Sequence, residues 1–600
     1  MKKITVLLLS LVLVLAGCSE ENYTTVTDEE IEKVQVDVTV YERTGSDFEK
    51  WCDEYFKESM EKDFMTQHFN VVDYEALGQK KGELDWGTIS YEHYEEMLKE
   101  TKEDLATLNS FDYESLSDCE KVYYDSLKHG FEVAIVCYEN PNMEWYFMPG
   151  SPMNDNLITN MNEFVFRSVE DVEDYLVMLA DMDRYLLEAV DFTEQQAAKG
   201  YFIQDGACDQ TIEMLTDFSD KVDDNALIVG FNHKMEQLDF DTDDYKAQNE
   251  KIIKEEIIPA WEEAAQRLAA LKGTCSEDQL TFASFEGGAE YYEALLKNKS
   301  SSYYSLDEMW EFLLDYLEAA DNDFLAVVES EDGQKAIKEY AGYTWKSIEP
   351  LKALEYHENH MYKYVPYAKD VTYTATYLDE SIANDSVIAY YVPPCIDAIE
   401  DNVIKVNPHN AGDDDMETLY TTMSHEGFPG HLYQFNYFYN SNPHPISTCY
   451  NMIGYSEGWA MHSELYCLDW LGYKNEGTKV ITKYQDVILD YVLSAIVDIA
   501  IQYKGWTPEA VAEFMGTVYG QEVSAEQIEG MYYYYAYRPG MMIPYGFGLA
   551  QMETMMRQAK EALGDKYSDV EFNGVILNYG PRAFESIQKD VEAYIASKAE

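Results

Sequence analysis

Apolar residues return every three or four positions through most of this chain, and no other feature limits its fold so strongly. Between Tyr245 and Lys272 the series is Ile253, Ile257, Trp261, Ala264, Leu268 and Leu271, with Gly273 where a helix would stop. Side chains at that spacing share one helix face, so the stretch predicts an amphipathic helix packed along its apolar stripe. Pro259 inside the series predicts a kink or a split, because proline has no N–H to donate and crowds the preceding turn. The same spacing recurs around Tyr91 to Leu108, Val169 to Phe192, Leu306 to Val328 and Ile481 to Tyr503. The 51 tyrosines read as amphipathic packing at helix contacts and cleft walls. Between about 370 and 408 the period drops to two. Val371, Tyr373, Ala375 and Tyr377 alternate with threonines, then come Val387 to Tyr391 and Val403 to Val406, with Pro393-Pro394 and Asn407-Pro408 as breaks. These short runs predict a small sheet. The expected architecture is mainly α: an N-terminal helical lobe (45–369), then a small sheet and C-terminal helical lobe (370–600), sharing a central cleft.

Charge narrows the partners. With 113 acidic and 43 basic residues the formal net charge is −70, a field that repels nucleic acid and anionic lipid headgroups. Disorder is excluded by a chain that is 46% hydrophobic and 14% aromatic. Steering by that charge is expected to favour cationic peptides. The N-terminus opens with Met1, Lys2 and Lys3, runs apolar from Ile4 to Leu15, and reaches Ala16-Gly17. This pattern predicts a signal peptide over 1–17, since about a dozen apolar residues are too few to span a bilayer. Leu15-Ala16-Gly17-Cys18 resembles the bacterial lipobox, which implies that Cys18 is lipidated. The alternative is plain secretion with an incidental cysteine. Residues 18–44 read as the lipidated start and a polar tether, so the body is expected outside the cytoplasm, membrane-bound through its lipid only. Eight further cysteines, none in a CxxC pair, permit either disulfides or buried thiols.

The most informative string is Ser424-His425-Glu426-Gly427-Phe428-Pro429-Gly430-His431. Two histidines with a glutamate between them form a zinc-peptidase pattern, in which imidazoles hold the ion and the carboxylate activates water. In the usual motif the histidines are four apart, about 40° around a helix; six apart leaves them about 120° apart. Gly427, Pro429 and Gly430 break or bulge a helix, and the same residues can therefore bring His431 back to the metal. The helix carrying His425 is expected to begin after Asp413-Asp414-Asp415, with Met416, Leu419, Tyr420 and Met423 as its apolar stripe and His425 on the face turned to the cleft.

A third ligand is expected from a neighbouring helix, because catalytic zinc keeps three protein ligands and one open position. Glu457 is 26 residues beyond His431, room for a turn and a returning helix, and Glu464 shares its face one heptad later. Glu457 reads as the ligand, and Glu464 as the carboxylate that orients an imidazole N–H. Surface carboxylates remain the alternative in so acidic a chain. Farther on, Tyr545 is favoured as donor to an oxyanion and Arg538 as anchor for a substrate carboxylate, against the alternative of a tyrosine-rich packing loop.

These motifs resemble the bacterial lipoproteins and exported proteins grouped as domain of unknown function 885, which look like relatives of the helical gluzincin metallopeptidases. The likeness rests on His425-Glu426-Gly427-Phe428-Pro429-Gly430-His431, on Glu457-Gly458-Trp459-Ala460 with Glu464, and on Pro539-Gly540 leading to Tyr545 and Gly548. It implies a gluzincin-like peptidase fold, Zn²⁺ held by His425, His431 and Glu457, Glu426 as general base, and a peptide substrate. His462 stands where the family commonly has an aromatic residue, as a competitor for the metal or a further donor. The strand ending near Asn407 is expected to offer its edge to the peptide backbone. Two other readings stay open: a surface-displayed peptide- or solute-binding lipoprotein with an inactive peptidase-like fold, and another metal-dependent amide hydrolase.

Overall fold

The computed structural model describes residues 31–150, 152–275, 280–345, 348–369, 371–378, 388–408 and 416–599. The signal segment, Cys18, the first part of the tether and the acidic run Asp413–Asp415 lie outside the described residues. Helix accounts for 68% of the chain and strand for 2%, so the class is mainly α.

The periodic stretches become helices at Tyr91–Leu108, Val169–Ala198 and Leu306–Val328. The last starts on a reciprocal cap: Ser305 accepts from the Glu308 N–H while the Glu308 carboxylate accepts from the Ser305 N–H, satisfying two donors a helix start leaves free. Around Pro259 the helical path does not stop. Helix Asp243–Ile252 widens into a π-type turn at Ile253–Ile257 and resumes as Ile258–Ala270, so the missing donor falls where the ladder is already loosened. Gly273, at φ +79°, stands just past the end. A second π-type segment, Lys483–Val492, lies inside the stretch expected as one helix from Ile481 to Tyr503.

The sheet has three strands, β1 (Thr374–Tyr377), β2 (Ala389–Val392) and β3 (Val403–Val406), in the order β1-β3-β2. β1 runs parallel to β3, with Thr374 opposite Val403; β2 runs antiparallel, with Ala389 opposite Val406. β3, the strand ending near Asn407, is therefore central, and both its edges are paired. The edge expected to receive a peptide there is not free; among the described residues the outer edge on this side belongs to β2, whose Tyr391 N–H donates to Glu426.

A single cluster of buried side chains extends from Phe64 to Tyr594, across the expected lobe boundary at 369/370. Part of the expected tether is hydrogen-bonded to the body. Residues 31–46 lie extended against the body: Tyr367 N–H donates to Val34 O, Tyr41 N–H to Ser441 O, and Thr39 N–H to Asn578 Oδ1, at 2.8 to 2.9 Å. Among the described residues no helix is long and apolar enough to cross a membrane. Of the eight cysteines from Cys52 to Cys467, Cys52, Cys208, Cys395 and Cys467 are buried, and among the described residues no disulfide joins them.

One buried acid ties the fold to the loop before Tyr545. Asp498 accepts from the Tyr292 hydroxyl at 2.7 Å and from the Gly540 N–H at 2.6 Å. Burial pushes its pKa up to about 7, against the opposing pull of Tyr292, the Gly540 N–H and Lys299. The unfolded carboxyl, near its ordinary 3.8, ionises first as pH rises. This group's contribution is thus fully present below pH 4 and lost as pH rises through 7, by about 4 kcal/mol at most. Asp498→Asn removes that loss. Its melting temperature relative to wild type is expected to climb between pH 4 and 7 and then level off; an offset constant with pH would refute this.

Candidate metal centre

The site starts with helix Met416–Glu426, whose Leu419, Tyr420 and Met423 are buried against the body. The helix ends at Glu426, and a new one, His431–Tyr439, begins after four intervening residues. The loop between them folds tightly back: Gly430 N–H donates to Ser424 O at 3.0 Å and Tyr433 N–H to Gly427 O at 3.2 Å, and the Phe428–Pro429 bond is cis. Glycine is required by space. A Cβ on Gly430 would fall 1.8 Å from the His425 carbonyl oxygen, and one on Gly427 would fall 2.1 Å from a Leu354 methyl. This break overcomes the six-residue spacing, because His431 opens a second helix rather than continuing the first. The His425 and His431 rings meet edge to face with centroids 4.9 Å apart.

The third side comes from helix Ile453–Cys467. Two serines join it to the first helix: Ser424 Oγ donates to Ser463 O at 3.1 Å and Ser463 Oγ to Ser424 O at 3.3 Å. Trp459 Nε1 donates to Pro429 O at 2.8 Å and holds the loop. Glu457 Oε2 then lies 3.1 Å from His425 Nε2 and 3.6 Å from His431 Nε2. One ligand atom from each of His425, His431 and Glu457 falls within 4.8 Å of the other two. Behind His425, Glu464 Oε1 takes Nδ1 at 2.7 Å, which turns Nε2 toward Glu457.

Burial opposes charge on His425 and on Glu457, but the close pairing prevails. Despite burial, hydrogen bonds to Glu457 and Glu464 and the charge of Glu426 hold the His425 pKa well above the usual imidazole range. Burial likewise raises the Glu457 carboxyl, yet His431 and His425 hold it well below the usual carboxylate range. A proton and a metal cation compete for the same Nε2 lone pair.

Glu426 stands beside this group, its Oε1 4.0 Å from His425 Nε2, while its Oε2 accepts from the Tyr391 N–H of β2 at 2.9 Å. Tyr545 lies over the group, its ring stacked on His425 at 6.3 Å. Burial, then the charges of Glu457, Glu426 and Glu464, push the Tyr545 phenol far up, so it stays protonated. It is brought there by a crossing of helices Ile453–Cys467 and Ile543–Leu563, in which a Cβ on Gly458 would fall 2.7 Å from the Gly548 backbone.

Two expected residues are placed elsewhere. His462 faces away from Glu457: its Nδ1 lies 2.7 Å from Glu553 Oε1 and its Nε2 2.8 Å from the Tyr466 hydroxyl, with Lys483 paired to Glu553. Five residues after Glu457 a helix has turned about 140°, which carries His462 off the metal-facing side. Arg538 lies over the Tyr534 ring at 4.3 Å and reaches Gln210 at 3.4 Å, not the histidine group. Sequence reasoning missed the Tyr391 N–H, the Ser424–Ser463 pair and the glycine crossing; only the last had a signal, Gly454 and Gly458 four apart with Gly548 against them.

A break-and-return pair of histidines facing a glutamate on a crossing helix defines a helical protein with a candidate metal centre. The chain belongs to the family described as bacterial protein of unknown function (DUF885), matched over residues 73–591. It is similar in fold to the crystal structure of a "putative lipoprotein" from Colwellia psychrerythraea, at TM-score 0.76 and 16% identity, covering 93% of this chain and 100% of that one. A second "putative lipoprotein", of unknown function, from Shewanella oneidensis matches at TM-score 0.62 and 15% identity, over 91% of this chain and 99% of that one. Among the curated proteins none matches.

Proposed function

We propose that this chain is a zinc-dependent metallopeptidase with a gluzincin-like cleft, exported and anchored by a lipid on Cys18. The observation that carries the reading is the convergence of His425, His431 and Glu457 within 4.8 Å, with Glu426 alongside. The donor set fits the ion. Two imidazole nitrogens and one carboxylate leave a position open, as catalytic zinc requires, and Glu464 fixes His425 with Nε2 forward.

Zinc bound there supplies a Lewis acid and a water acidic enough to react near neutral pH. Glu426 would take a proton from the attacking water on a carboxylate oxygen and would pass it to the leaving amine. Tyr545, protonated and overhead, donates its O–H to the oxygen of the scissile carbonyl as charge develops. The outer edge of β2 away from Tyr391, whose N–H is taken by Glu426, orients the peptide by backbone pairing.

Metal analysis with a peptide-library digest, run with and without chelator and read by mass spectrometry, tests the reading. One zinc per chain and chelator-sensitive cleavage are expected; a chain that holds no zinc after supplementation would overturn it. Glu464→Gln is expected to weaken zinc affinity about 10- to 100-fold with Tm nearly unchanged, because it loosens the ring that carries Nε2. Competition against a chromogenic chelator measures this, and an unchanged affinity would remove Glu464 from the role.

A further inference from the structure

No side chain caps helix His431–Tyr439 at its start, so beyond the loop before it the aim of His431 depends on what holds the helix from outside. Tyr433, two residues on, donates its hydroxyl to Pro366 O at 2.6 Å in the interior. Asn436 holds the middle, its Nδ2 donating to Asn402 Oδ1 at 3.1 Å. At the far end the chain turns at Ser441, whose N–H donates to Phe438 O at 2.9 Å.

Both ends of this helix are tied to the segment that leads in from the N-terminus. Tyr367, next to Pro366, donates its N–H to Val34 O, and Tyr41 donates its N–H to Ser441 O, each at 2.8 Å. Between those points the segment crosses helix Asp569–Leu577 and the residue after it. Val36 lies over Gly574, where an added Cβ would fall 2.7 Å from Val36 Cγ1. Thr39 and Asn578 exchange two hydrogen bonds: Thr39 N–H donates to Asn578 Oδ1 at 2.9 Å, and Asn578 Nδ2 donates to Thr39 Oγ1 at 3.1 Å. The Lys33 ammonium sits 4.5 Å over the Tyr362 ring, and the Tyr41 hydroxyl donates to Glu49 at 2.9 Å. Residues 31–46 form no helix or strand. Ordering them costs conformational entropy at every residue, and contacts of this kind must offset it.

From this arrangement we infer that residues 33–41 are a brace for the helix that carries His431, so that the segment leading from the lipid anchor is also a positioning element of the candidate centre. What the helix aims rests on the zinc reading; that it is braced does not. A protease that cuts between Cys18 and Ile31 would free the body with its centre intact, whereas a cut inside the brace would free it with a loosened one.

Hydrogen exchange of the metal-free full chain, read by mass spectrometry, tests the brace with substitutions outside the helix it holds. Gly574→Ala, which drives a methyl into Val36, combined with Asn578→Ala, which removes both bonds to Thr39, should unseat the segment. Peptides covering 31–41 are expected to exchange at least about tenfold faster, and those covering 431–441 with them, while helix Leu306–Val328 is unchanged. Gly574→Ala with Val36→Gly, and Asn578 kept, makes room for the methyl and should return 431–441 to the wild-type rate. In zinc titrations the unseated variant should bind about tenfold more weakly. An unseated segment beside an unchanged helix, a segment that stays seated without these contacts, equal loosening of Leu306–Val328, no rescue by Val36→Gly, or zinc affinity unchanged in the unseated variant would each overturn the proposal. A wild-type chain that binds no zinc would sink the peptidase reading instead, and the exchange rates would still decide the brace.

Discussion

Glu426→Gln is expected to bind zinc as wild type does and to cleave peptides about 10²- to 10⁴-fold more slowly, the range that a positioned acid–base group contributes. The substitution keeps the size of the side chain and an oxygen to accept the Tyr391 N–H, so helix end and sheet edge stay in register. What disappears is the ability to take a proton, since an amide is no base near neutral pH. The control is Glu457→Gln, which should lose zinc as well as activity, because it removes a charge that His425 and His431 both face. Turnover in Glu426→Gln equal to wild type, with one zinc per chain, would refute the assignment of the base.

The second large effect is steric. In Gly430→Ala the new methyl would sit 1.8 Å from His425 O and 2.4 Å from Ser424 O, both backbone atoms that cannot swing aside. Relief requires the loop to open, which moves His431 away from Glu457. The expected result is a loss of about 1–3 kcal/mol or more in stability. Zinc affinity is expected to fall by at least about 100-fold, since one of three ligands leaves its place. Gly530→Ala is the matched control: its Cβ would meet nothing within 4 Å in the middle of helix Ala525–Ala536, where alanine should add about 0.5–1 kcal/mol. Chemical denaturation of the two variants side by side separates this mechanism from a general intolerance of glycine replacement. If Gly430→Ala keeps both stability and zinc, the loop is not the device that aims His431.

Helices were legible in the sequence because a stripe at three- and four-residue spacing depends on the chain alone. Leu306–Val328 and Tyr91–Leu108 come out with the limits their stripes and serine caps set. The π-type turns were not legible, since Ile253–Ile257 and Lys483–Val492 keep apolar spacing through a backbone that has loosened. The sheet was legible, but its strand order was not. Alternation marks a strand without naming its neighbour, and β3 lies between β1 and β2 through a pairing that only tertiary structure fixes. In the site, the spacing of Glu457 and Glu464 placed both on one face, and they do reach the same histidine. His462 was misplaced because its identity drew more weight than its helical angle. Tyr391 was invisible because its contribution to the site is a backbone N–H, which no side-chain pattern encodes.

The glycine crossing also bears on motion. Helices Ile453–Cys467 and Ile543–Leu563 touch backbone to backbone at Gly458 and Gly548, with Gly454 O against Gly548 and Tyr491 O against Gly546. Contacts this close permit neither sliding nor rotation without collision, so Glu457 and Tyr545 behave as parts of one rigid block. On the opposite side, among the described residues, one hydrogen bond from an edge strand holds the Glu426 carboxylate. The proposed site is therefore expected to give on the side of the sheet's outer edge before it gives at the helix crossing. Hydrogen exchange should find the Tyr391 amide among the first in this region to open, and the amides around Gly458 among the last.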